Sequence, residues 1–67
     1  MPIVIFEGPK MPVETKRKLA ASITDAVSTV TGYPREIITT VIHENPPENV
    51  APGGELLVDR KARESGA

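Results

Sequence analysis

The chain has 67 residues, 8 of them basic and 9 acidic, for a net charge of −1. A chain of this length makes one small domain, and its near-neutral balance offers no electrostatic footprint for nucleic acid or an anionic membrane. With no cysteine and one histidine, disulfides, thiolate metal sites and His-rich metal cages are excluded, which leaves association with further copies as the expected stabiliser.

One Phe and one Tyr do not make a base-stacking platform. No apolar stretch approaches the roughly 18 residues that a membrane span needs. The first apolar run is too short for a signal peptide and has no basic flank. The expected compartment is therefore the cytoplasm.

The run Pro2–Phe6 (PIVIF) is β-branched or aromatic after its proline, and Glu7-Gly8-Pro9 closes it with turn residues. A strand is expected over residues 2–7, buried on both faces because it does not alternate with polar residues. Proline is tolerated at a strand's first position. Over residues 12–31 the period changes. Leu19, Ile23, Val27 and Val30 form one helical stripe, with Lys18, Ser22, Asp25 and Thr29 on the opposite side. Pro12 suits the helix start, Glu14 is placed to pair with Lys18, and Gly32 and Pro34 end the helix.

Ile37–Ile42 (IITTVI) is six β-branched residues in succession, so a second strand is expected over residues 36–44. The result is an α+β fold, a βαβ unit with parallel strands and a right-handed crossover. Residues 45–60 begin with NPPENVAPGGE, an ordered loop with room for one helical turn near Pro46–Asn49. Leu56, Leu57 and Val58 are expected to dock on a neighbouring subunit. Residues 61–67 (KARESGA) read as a frayed tail.

Pro2 is the candidate for chemistry, against the plainer reading of a proline that opens a strand. Initiator methionine is normally removed before a small residue such as proline, which leaves a secondary amine at the terminus. An α-amino group has a reference pKa of about 7.7–8.0, and burial or a nearby cation lowers it. That is the range in which a general base works best near neutral pH. The pyrrolidine ring also fixes the direction of the lone pair. Proline is about 5% of ordinary residues, so Pro2 alone is weak evidence. Its place at the head of a very short βαβ unit gives it weight. If Met1 stays attached, the nitrogen is an amide and is no base.

PIVIFEG, the helix, TVIHE and the late GGEL together resemble the 4-oxalocrotonate tautomerase family. EGPK, HENPPENV and GGEL resemble, more narrowly, a small tautomerase-like branch found in bacteria and archaea. The resemblance covers roughly residues 2–60. It implies protomers that dimerise into a four-stranded sheet covered by two helices, and three such dimers in a hexamer. It also implies a cofactor-free isomerase whose terminal proline moves a proton on a small enol or unsaturated keto acid.

By that resemblance Pro2 matches the catalytic proline. The family's loop arginine falls at or beside Pro9-Lys10, in a loop two residues longer here, so Lys10 is the candidate carboxylate anchor. The second-strand arginine matches Thr39 and the active-site phenylalanine matches Val50, so that cation and that aromatic wall are absent. Arg35 is a candidate replacement cation. On strand parity His43, Thr39 and Arg35 would share one sheet face. His43 is either a polariser of a substrate carbonyl or a structural residue at a strand end. Arg60 and Arg63 are either solvated or reach a neighbour's pocket. Gly53-Gly54 is not followed by Lys-Ser/Thr and reads as a turn rather than a phosphate loop. Two functions follow: an enzyme acting on a small acidic carbonyl compound, or a non-catalytic oligomer that keeps the fold without the substrate-binding arginine and aromatic.

Overall fold

The computed structural model of the chain describes residues 1–65. Two parallel strands, β1 (Ile3–Gly8) and β2 (Thr39–Glu44), flank the long helix α1 (Val13–Thr31). The register pairs Ile3 with Thr39 and Gly8 with Glu44. Backbone bonds extend the ladder past both ends. The Thr39 N–H donates to the Pro2 carbonyl at 3.1 Å, and the Asn45 N–H donates to the Gly8 carbonyl at 2.8 Å. A second helix, α2 (Leu57–Ser65), ends the described chain.

The strands alternate in exposure, contrary to burial on both faces. Val4, Phe6, Thr40 and Ile42 are half-buried, while Ile3 and Ile5 are each 58% exposed. One helix covers one face of a two-stranded sheet, and the opposite face, with Ile3, Ile5, Thr39, Val41 and His43, is left exposed by the described residues. Leu19, Ile23 and Val27 of α1 are half-buried, but Val30 is 84% exposed. The apolar stripe therefore ends one turn earlier than its spacing predicts.

The second strand starts later than residue 36. Arg35–Ile37 form a 3₁₀ turn, in which the Ile37 and Ile38 N–H groups donate to the carbonyls of Pro34 and Arg35. Local turn bonds after Pro34 take the backbone donors that a ladder would use. Ile38, between turn and strand, is the one buried hydrophobic residue among those described, at 8% exposure. Helix α1 starts one residue after Pro12, which stands at its N-cap. Its Glu14 pairs with Arg17 rather than with Lys18.

The C-terminal segment departs furthest from expectation. The single turn expected near Pro46–Asn49 is there, as a 3₁₀ turn over Pro47–Asn49, but residues 61–65 continue α2 instead of fraying. The helix is fastened at its start, where the Leu57 N–H donates to the Val50 carbonyl at 2.8 Å. Arg63 donates to Glu55 at 3.0 Å, with Arg60 alongside at 3.6 Å. Leu56 and Leu57 are half-buried within the protomer itself. Positions 66 and 67 of the expected tail lie outside the described residues.

Candidate active site

The expected site residues fall at the two ends of the sheet. At the starting end, Pro2 is half-buried and its carbonyl is tied to Thr39, so ring and strand share one anchor. Thr39 lies on the helix-free face with His43. Arg35 does not share their parity, because it sits in the 3₁₀ turn before β2. Its guanidinium pairs with Asp25 of α1. Both partners are more than half exposed, so the pair is weak and exchangeable.

The finishing end of the sheet holds Lys10 and Val50. Lys10 is exposed in the short connection from β1 to α1. That connection is held by Glu44 at the end of β2. The Glu44 carboxylate accepts from the Met11 N–H at 3.1 Å and pairs with the Lys16 ammonium at 2.9 Å. The Lys16 contact, followed by the Met11 bond, holds the Glu44 carboxyl below its ordinary value, and Lys10 adds to the effect. Sequence reading missed Glu44, because its partners lie 28 and 33 positions back in the chain and no local spacing marks them.

A cavity of about 410 Å³ opens at the same end. Its wall takes Glu7 and Pro9 from the end of β1, Asn45 and Val50 from the segment after β2, and Leu57 and Lys61 from α2. Glu7 is occupied in part, since the Asn45 amide donates to it at 3.2 Å. Val50 thus lines a pocket, as its alignment suggested, but Pro2 does not. The two stand at opposite ends of the six-residue β1, about 20 Å apart at 3.3 Å per residue. Within one protomer they cannot meet on one small molecule. Lys61 was also missed: its run KARE is made of good helix formers, but it carries no apolar stripe to mark which face meets the cavity.

Comparison with known proteins fixes the kinship. Residues 2–60 match the family described as tautomerase enzyme. The chain is similar to the crystal structure of DmpI from Archaeoglobus fulgidus, at 41% identity and a TM-score of 0.81 over 87% of this chain and 100% of that one. It is similar to YwhB, a homologue of 4-oxalocrotonate tautomerase, at 32% identity and a TM-score of 0.82 over 87% and 97%. It also resembles a 4-oxalocrotonate tautomerase isozyme from Methylibium petroleiphilum, at 27% identity and a TM-score of 0.87 over 92% and 98%. A search of curated proteins finds no match. A βαβ protomer with two parallel strands is the fold of the tautomerase class, and the chain belongs to the tautomerase family. Members of that family are typically small oligomers, and membership suggests isomerase activity of the tautomerase type. No helix among the described residues is long and apolar enough to cross a membrane.

Proposed function

We propose that the chain, once Met1 is removed, is a cofactor-independent tautomerase of the cytoplasm that uses the Pro2 amine as general acid and base on a small enol acid. The observation that carries this reading is the position of Pro2. The family match begins at that residue, and the Thr39 N–H pins its carbonyl so that the ring is held at the head of β1. The neutral amine takes the enol hydroxyl proton and, as its conjugate acid, returns a proton to carbon. The enol becomes the ketone with no net proton change.

The site is shared between copies. The outer edge of β1 has no strand partner among the described residues. Two β1 edges related by a two-fold axis run antiparallel, which extends the sheet to four strands. The same pairing carries Pro2 of one copy toward the finishing end of β1 in the other, where Val50 lines the cavity and Lys10 stands next to its rim. Lys10 draws the acid in through its charge. Thr39 and Arg35 stay beside Pro2 at the starting end, with Thr39 a hydroxyl neighbour and Arg35 a cation free to exchange Asp25 for substrate. The complete assembly is a hexamer, a trimer of such dimers.

Ketonisation of phenylenolpyruvate and 2-hydroxymuconate, followed on fully processed and on Met1-bearing protein, tests the reading. The processed form turns over and the Met1-bearing form loses nearly all activity, because an amide nitrogen has no available lone pair. Pro2→Ala keeps reduced activity through its primary amine. Equal rates for processed and Met1-bearing protein exclude Pro2 as the base. No turnover of either acid by any form favours the non-catalytic oligomer.

A further inference from the structure

The cavity wall carries two side chains of opposite charge, and they differ in how far they are already engaged. Glu7 comes from the sheet and accepts the Asn45 amide. Lys61 comes from α2 and, among the described residues, makes no ion pair, although Arg60 and Arg63 on the same helix are both committed to Glu55. It lines the cavity with Leu57, one turn earlier on the same helix face, and is exposed. The rest of the wall that matters to a ligand is apolar: Pro9, Val50 and Leu57. A volume of about 410 Å³ lies in the range of small-molecule pockets.

We infer that Lys61 is the carboxylate anchor of this cavity and that, with Glu7 in the same wall, it selects an acid bearing one carboxylate and an apolar body over a dicarboxylate. The first carboxylate meets the unpaired ammonium, and the body lies against Val50 and Leu57. A second carboxylate on the same body would meet Glu7, where like charges repel. The preferred ligands are thus aryl- or alkyl-substituted enol acids with a single carboxylate. The catalytic meaning of this anchor rests on the tautomerase reading above, but its binding role does not.

The test is a titration followed by ¹⁵N NMR on the processed full chain at low salt, reading the backbone amides of Gly8, Val50 and Leu57. The probes are 3-phenylpropanoate, its neutral amide and phenylsuccinate. The propanoate shifts those amides, and Lys61→Ala weakens it about fivefold or more, while Lys61→Arg retains it. The neutral amide binds wild type and Lys61→Ala alike. Phenylsuccinate binds wild type more weakly than the propanoate and gains in Glu7→Gln. The same spectra show that each variant is folded. Equal propanoate affinity in wild type and Lys61→Ala, or no shift at the three amides, overturns the anchor whatever the turnover. Lys61-dependent binding in a processed protein that turns over no enol acid supports the anchor and overturns the proline-base reading alone.

Discussion

At the scale of single residues, the candidate residues at the two ends of the sheet depend on different kinds of contact. Pro2 is fixed by a backbone bond from the Thr39 N–H, which no substitution at Thr39 other than proline removes. Lys10 is fixed only through its loop, and that loop depends on Glu44. Lys10→Ala should therefore raise KM for enol acids and leave kcat nearly unchanged. The expected loss is below about 1 kcal/mol in kcat/KM, since an exposed charge is screened. Steady-state kinetics at two salt concentrations checks this, and the difference between wild type and Lys10→Ala should shrink at high salt. An unchanged KM at low salt would remove Lys10 from substrate capture.

Glu44 gives a prediction in pH. Its carboxyl is held below the ordinary value of 4.5, first by Lys16 and then by the Met11 N–H. A depressed folded-state pKa means that the charged form is favoured by folding. The stabilisation is therefore complete above the unfolded value and disappears as pH falls through the lower folded one. Glu44→Gln should lower Tm at pH 7, and that difference should shrink progressively as the pH falls below 4.5, measured by thermal denaturation of both proteins over a pH series. A Tm gap that does not shrink across the series would show that packing, and not charge, ties the β1–α1 connection to β2.

At the scale of elements, the parts set by short-range pattern were legible and the parts set by distant contacts were not. PIVIF and the β-branched run declare strands, and the stripe from Leu19 to Val27 declares a helix, because each pattern repeats the geometry of its own element. The start of β2 was misplaced because Ile37 and Ile38 have strand propensity, yet Pro34 opens a turn whose bonds take their N–H groups. Helix α2 is split by the sequence reading into a docking segment through Arg60 and a tail from Lys61, because its charged residues carry no apolar stripe. It is held by Glu55 reaching Arg63 eight positions on, and by the bond to Val50, neither of which is a local helix signal. Pro2 and Val50 were both singled out, but sequence could not show that they stand at opposite ends of one protomer. The clearest local signal was Gly32. It caps α1 in the left-handed conformation at φ 79°, its N–H donating to the Ser28 carbonyl at 2.9 Å. Nothing stands within 4 Å of the position its Cβ would take, so the constraint is backbone strain rather than a clash. Gly32→Ala should cost about 1 kcal/mol of stability with kcat/KM unchanged, checked by chemical denaturation and by the enol assay. Stability equal to that of wild type would mean that the cap relaxes without cost.

At the scale of the whole molecule, the protomer is too open to be the working unit. A compact protein of 7.2 kDa exposes about 4,100 Å², whereas this one exposes 5042 Å². Its radius of gyration is 16.1 Å, against about 11 Å for a compact chain of this length. Ile38 alone among the described hydrophobic residues is buried, and a core that small does not offset the entropy of ordering the chain. The missing cover belongs on the helix-free sheet face, where Ile3 and Ile5 stand exposed beside Val41. A hexamer of 7.2-kDa chains has a mass of about 43 kDa, six times the protomer, and sedimentation equilibrium at micromolar concentration should find it. Ile5→Asp separates an interface from an ordinary surface. In an isolated protomer a carboxylate at a position 58% exposed is solvated and nearly neutral in its effect. Within an assembly it is buried without a partner, which costs several kcal/mol for each copy. The variant should therefore sediment as a smaller species, with a lower Tm that depends on protein concentration. An Ile5→Asp protein with the mass and Tm of wild type would show that the open face meets water, and that the protomers associate, if at all, through their β1 edges alone.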